Sequence, residues 1–108
     1  MAKIEVAEII WTEPALSDLN AIAEYIALSH FPAAQKMVQN VFSTVERLEQ
    51  FPESGRVPLE LKNLNSLNTR ELIVSPCRVF YKIETDRIFI LHVMRQEQDL
   101  RRFMLQGE

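Results

Sequence analysis

Cysteine occurs once in these 108 residues, at Cys77, so the chain has no pair from which to build an internal disulfide. Glycine occurs only twice, which excludes collagen-like, low-complexity and flexible-linker readings. Two histidines, His30 and His92, stand far apart, and with one cysteine they offer no spacing suited to zinc. No apolar run is long enough to span a bilayer, and the amino-terminal MAKIEVAEIIW is too short and too interrupted by charge to read as a secretory signal. A cytoplasmic location and no membrane partner are the expectation. An excess of positive charge is missing too: 12 Lys and Arg stand against 15 Asp and Glu, a net charge of −3 that argues against indiscriminate nucleic-acid binding.

What is present is a globular composition, 47% apolar, with no internal repeat and no linker, so residues 1–108 read as one domain with one modest core. The global charge hides a gradient. Met1 to Gly55 carries three basic residues against eight acidic ones, whereas Arg56 to Phe103 carries nine against six.

Periodicity supplies the elements. Ile4 to Trp11 reads as a strand, with Trp11 as a core anchor. Thr12 followed by Glu13-Pro14 reads as a helix start: a hydroxyl cap, an acid near the positive end of the dipole, and a proline where its missing N–H costs nothing. Leu16, Leu19, Ile22, Ala23 and Ile26 then recur at helical spacing, to about Ser29. A short connection through His30-Phe31 leads to a second helix, where His30 suits a capping role. Ala34, Met37, Val38, Val41, Phe42, Val45 and Leu48 form its stripe, and Phe51-Pro52 ends it. Glu53 to Asn68 reads as an irregular connection.

Thr69 to Asp99 reads as a three-strand antiparallel meander. Proline at the second position of Ser75-Pro76-Cys77-Arg78 and the polar break Glu84-Thr85-Asp86-Arg87 mark the turns. Two-residue loops would place Ile73 opposite Phe80, Glu71 opposite Lys82, Ile83 opposite Ile88 and Tyr81 opposite Ile90. One face then collects Leu72, Val74, Val79, Tyr81, Ile83, Ile88 and Ile90, with His92 on the same side by alternation. The other carries Ile73, Phe80, Phe89, Leu91 and Val93, rimmed by Arg78, Lys82 and Arg95. The fold class is therefore α+β: a strand, an antiparallel two-helix hairpin, then the meander, with the helices on one face of an antiparallel sheet.

In this order the motifs Trp11-x-x-Pro14-Ala15-x-x-Asp18-Leu19-x-x-Ile22-x-x-Tyr25-Ile26, Leu48-x-x-Phe51-Pro52-x-x-Gly55-Arg56, Arg70-Glu71-Leu72, Arg78-x-x-Tyr81 and Ile90-Leu91-x-Val93 resemble the RelE/ParE toxin superfamily, nearer its ParE branch. The resemblance covers most of the chain. It implies the toxin half of a bacterial type II toxin–antitoxin pair. The implied partners are a cognate antitoxin, of ribbon-helix-helix or similar DNA-binding type, and DNA gyrase, trapped as its cleavage complex. Promoter DNA would be reached only through the antitoxin, in a hetero-oligomeric complex, and no cofactor is implied.

Two activities compete within the superfamily. The RelE-like branch cuts messenger RNA on the ribosome, chemistry that needs cations and acid–base groups around a phosphate. Where that branch carries lysines before the first hairpin, this chain has Thr69 and Glu71, and Glu71 would repel phosphate. Only Arg78 stands where that branch places an arginine, and no tyrosine follows Tyr81, which parity places in the core. The ParE-like reading, inhibition by binding with no catalytic residue in this chain, is preferred; a toxin-fold module that has lost toxicity and serves in plasmid stabilisation is a third reading. The candidate partner-binding residues are Arg56, Arg78, Lys82, Arg95, Arg101 and Arg102. Each has a plainer role available: Arg78 could pair with a carboxylate such as Glu97, Arg56 could tie its loop to the helices, and Arg101 and Arg102 belong to a short tail helix with Leu100, Phe103 and Met104.

Overall fold

The computed structural model describes residues 6–61 and 68–98. The expected tail helix, with Arg101 and Arg102, lies outside the described residues, as does the start of the expected first strand. Strand β1 (Glu8–Trp11) leads into helix α1 (Glu13–Ala27), then α2 (Phe31–Glu46), then the meander β2 (Thr69–Val74), β3 (Cys77–Glu84) and β4 (Arg87–Arg95). Single 3₁₀ turns occupy Arg47–Glu49 and Leu59–Leu61.

The helices begin where side chains can accept the first free N–H groups. Thr12 accepts from the Ala15 amide at 3.3 Å and donates to the Ile90 carbonyl at 2.6 Å, so one hydroxyl caps α1 and fastens it to β4. His30 accepts from the Ala33 amide through Nδ1 at 3.0 Å, the expected capping role. The α2 stripe buries Ala34, Met37, Val41 and Val45, and the following 3₁₀ turn carries it on to Leu48.

The sheet order is β1-β4-β3-β2. β1 runs parallel to β4, so the sheet is mixed rather than wholly antiparallel; the helical hairpin and two further strands supply the long connection that a parallel pair needs. The helices cover one face, where Ala15, Leu19, Met37, Val41, Val45 and Leu48 pack on Val74, Val79, Tyr81, Ile88 and Ile90. Trp11 is partly buried against this core, its ring 4.7 Å from that of Phe42.

Two features of register depart from expectation. The first hairpin loop is Ser75-Pro76, not Pro76-Cys77: Cys77 pairs with Val74 and is completely buried, 3.6 Å from the Met37 sulfur, so burial draws it into the strand. Ile73 consequently faces Arg78, and Glu71 faces Phe80 rather than Lys82. A slip of two residues preserves the faces, which is why the apolar assignment of β2 and β3 survives. The second hairpin pairs as expected, Ile83 with Ile88 and Tyr81 with Ile90, but Phe80 then faces His92, so Leu91 is an extra residue in β4. This bulge inverts the side-chain alternation beyond it. Val93 joins the helix-covered core, and Met94 turns to the open face beside Phe80 and Leu61.

Candidate functional site

The register brings an ionic network onto the open face of the sheet. Glu71 of β2 is 1% exposed and Arg78 of β3 is 7% exposed. Nε of Arg78 donates to Oε1 of Glu71 at 2.8 Å, and Nε of Arg56 donates to Oε2 of the same carboxylate at 2.9 Å. Arg78 then grips Glu60 with its fork, Nη2 to Oε1 at 2.8 Å and Nη1 to Oε2 at 3.0 Å, and Nη1 also donates to the Gln98 carbonyl at 2.9 Å. Its guanidinium lies 5.0 Å from the Phe80 ring centre. The charge-assisted bonds to Glu60 and then Glu71 push the Arg78 guanidinium above its ordinary range, against the opposing effect of desolvation. Four of its five N–H donors are thereby engaged inside the protein.

Backbone pairing reinforces the network. Arg56 and Glu71 exchange both main-chain bonds, at 3.0 and 2.7 Å, so the loop after α2 covers part of the outer edge of β2. Tyr81 anchors that loop from beneath: its hydroxyl accepts from the Gly55 amide at 2.9 Å and donates to the Pro52 carbonyl at 2.8 Å. Burial raises the Tyr81 hydroxyl pKa. Arg70 donates to the Glu53 and Gly55 carbonyls of the same loop.

The expected cationic rim is divided. Arg56 and Arg78 share Glu71; Arg56 ties its loop to β2 rather than to the helices, and Arg78 pairs with Glu71 and Glu60 rather than Glu97. Lys82 stays on the sheet but pairs with Glu84 at 2.8 Å. Arg95 leaves the open face, because the Leu91 bulge turns it opposite Cys77 and toward the helices: its guanidinium lies 5.1 Å from the Tyr25 ring and 3.2 Å from Glu97. Glu71, expected as an open-face charge that repels phosphate, is a buried anion neutralised by two arginines. Glu60 carries no signal of its own in the sequence, because it lies in the irregular connection; the available hint is that an arginine inside a buried strand needs a partner.

His92 is placed by the bulge opposite Phe80, at the stretch of β4 that extends past β1, not within the helix-facing stripe. There Nδ1 lies 2.9 Å from Oδ2 of Asp18, which also accepts the Val93 amide at 3.1 Å. Asp18 thus joins α1 to the free edge of β4, and Gln98 treats the Arg95 amide likewise at 2.9 Å. Burial, and secondarily Glu97, raises the Cys77 thiol pKa to about 11, which disfavours the thiolate that nucleophilic chemistry would need. Among the described residues, no group of three His, Cys, Asp or Glu side chains is placed to hold a metal ion, and no helix is long and apolar enough to cross a membrane.

The outer side of the helical hairpin is apolar and open. A groove of about 390 Å³ runs between α1 and α2, lined by Ala23, Ala27, Phe31, Ala34 and Val38. Phe31, which lines it, is 60% exposed, and Leu28 in the interhelix turn is 86% exposed. Exposed apolar surface of this kind is what protein partners cover.

A family model for the ParE toxin of the type II toxin–antitoxin system parDE matches residues 9–100. The chain is 34% identical over 89 residues to toxin RelE2 of Caulobacter vibrioides, a match covering 82% of this chain and 91% of that protein. Among solved structures it aligns with the chromosomal ParDE toxin–antitoxin system from P. aeruginosa at a TM-score of 0.71 and 26% identity, over 85% of this chain and 98% of that one. It also aligns with the toxin–antitoxin complex RelBE2 from Mycobacterium tuberculosis at a TM-score of 0.55 and 18% identity, over 91% and 100% of the two chains, a likeness of fold.

Proposed function

As the chain belongs to the ParE toxin family of type II toxin–antitoxin systems, we propose that it inhibits DNA gyrase by binding and trapping the cleavage complex, and that a cognate antitoxin neutralises it. The observation that carries this reading is the state of Arg78. A ribonuclease arginine must offer its donors to a phosphate, whereas the donors of Arg78 are committed to Glu60, Glu71 and the Gln98 carbonyl, and the two carboxylates cancel the charge of Arg56 and Arg78. Lys82 and Arg95 are each paired with a neighbouring acid. Such a surface suits recognition of a protein better than acid–base chemistry on RNA.

The antitoxin's tail orders on binding and covers the exposed apolar surface of the helical hairpin; both solved relatives named above are toxin–antitoxin systems, which supports this partner. The protein acts in the cytoplasm as a single folded domain, and promoter DNA is reached through the antitoxin alone. The test sets the purified protein against gyrase on relaxed plasmid and, separately, against ribosome-bound messenger RNA. Lost supercoiling with intact messenger is the expected result. Undisturbed supercoiling with cleanly cut messenger would transfer the assignment to the endoribonuclease branch.

A further inference from the structure

Strand β1 keeps an open outer edge. The Glu8 and Thr12 amides bond to the Asp86 and Ile90 carbonyls, so the residues of that parity face β4 and the backbone groups of Ile9 and Trp11 turn outward. Ala7, of the same outward parity, donates to the Glu49 carbonyl at 2.9 Å; beyond it, no described group bonds to the N–H of Ile9 or of Trp11. Elsewhere the sheet margin is blunted: Asp18 and Gln98 occupy the Val93 and Arg95 amides of β4, and Arg56 pairs with Glu71 of β2. Beside the open edge lies a pocket of about 680 Å³ between β1 and α2, lined by Ile9, Trp11, Val38, Phe42, Glu46 and Glu49 among others. Outward bonding groups beside a part-apolar pocket are what an added strand uses: its main chain extends the ladder, and an alternate side chain fills the pocket.

We propose that β1 accepts a short extended segment of a protein partner, in which one apolar residue stands between two cations on the pocket side. The charges decide the occupant. Glu46 and Glu49 line the pocket, and neither has an ion-pair partner among the described residues; Arg47, between them in sequence, is not a lining residue. A cation two residues from the apolar anchor shares its face of the added strand and reaches this acidic rim. A second copy docked by the same edge would bring its own Glu46 and Glu49 to a two-fold seam, where like charges repel, and nucleic acid would meet the same repulsion. The surface meets the hairpin groove only at Val38 and Gln39 of α2, and the open-face arginines take no part in it. The inference goes beyond the proposed function, since it requires neither gyrase nor neutralisation.

The probe is the acetylated, amidated pentapeptide Lys-Thr-Leu-Thr-Lys, which sets Lys, Leu and Lys on one face of a strand; Glu-Thr-Leu-Thr-Glu at the same ionic strength is its counterpart. Binding to the wild-type protein is followed by Trp11 fluorescence and by the amide NMR signals of Ile9 and Trp11. The basic peptide should shift both amides saturably and bind about tenfold more tightly than the acidic one. Glu46→Gln with Glu49→Gln should remove that preference, and Glu46→Lys with Glu49→Lys should reverse it. Methylating the amides of one alternate set of peptide residues should abolish binding while methylating the other set leaves it, because only one set faces β1. Equal affinity for the two peptides, loss of binding with both methylated sets or with neither, or shifts confined to the Arg56 and Arg78 face would overturn the proposal. So would β1 amides that move when the protein alone is concentrated, a result that assigns the edge to a second copy.

Discussion

Replacing Arg78 by alanine should cripple the fold before it tests any activity. The substitution removes the guanidinium that neutralises the wholly buried Glu71 and leaves that carboxylate with Arg56 alone, itself 67% exposed at its side chain. Breaking a buried ion pair by deleting one partner costs about 3–5 kcal/mol. Loss of contact with Phe80 acts in the same direction. Set against the roughly 5–15 kcal/mol that keeps a small domain folded, this is at least about a fifth of the total. The melting temperature should fall by about 12–20 °C at roughly 4 °C per kcal/mol. The assay is urea unfolding followed by Trp11 fluorescence, which should report core loosening through its packing on Phe42, with far-UV dichroism as a second probe. Arg78→Leu combined with Glu71→Met should recover part of the loss, since it removes the wholly buried Glu71 anion, although Glu60 still loses the Arg78 fork. An Arg78→Ala protein within about 1 kcal/mol of wild type would refute the reasoning and return Arg78 to the functional candidates.

Four further outcomes follow from the same contacts. Tyr81→Phe leaves the buried Gly55 amide without its acceptor and should cost about 1–3 kcal/mol by urea titration. Gly55→Ala should be at least as damaging, because a β-carbon there would press on the Tyr81 hydroxyl and lie 2.7 Å from the Glu71 carbonyl oxygen; full stability in that variant would contradict the packing. Cys77 has a folded pKa of about 11 against 9.0, so the unfolded state binds fewer protons across that interval. Its contribution is therefore fully present below pH 9 and is lost as the pH rises to 11, by on the order of 2 kcal/mol, and Cys77→Val should flatten that part of the stability curve. Thr12→Ala should lose about 1 kcal/mol, because the hydroxyl both caps α1 and holds the Ile90 carbonyl; a variant as stable as wild type would show that the cap is dispensable.

The legible parts of the fold were those set by local chemistry. Thr12-Glu13-Pro14 announces α1, the α2 stripe announces its buried face, and alternation in β2 and β3 sorts the two sides of the sheet. Alternation failed where its premise failed, at Leu91, because one extra residue in β4 reverses the sides of Val93, Met94 and Arg95 and no local residue type announces it. The same reversal split the expected cationic rim, placing Arg95 beside Tyr25 of α1. The ionic network was hidden for a different reason. Glu60, Glu71 and Arg78 lie far apart in sequence, and their meeting depends on the path of the connection after α2, which carries no periodic signal. Read as a sequence, Glu71 was a charge facing solvent; in the fold it is the anion around which two arginines are organised.

The measurement that bears most directly on a toxin that acts by binding is covalent trapping of gyrase on plasmid DNA. The purified protein is incubated with gyrase and supercoiled plasmid, the reaction is quenched with detergent, and linear protein-linked DNA is scored with and without the protein encoded by the neighbouring reading frame. Linked, linear plasmid that disappears when the neighbouring protein is added first is the expected result. Plasmid that stays intact at toxin concentrations saturating over gyrase would contradict it.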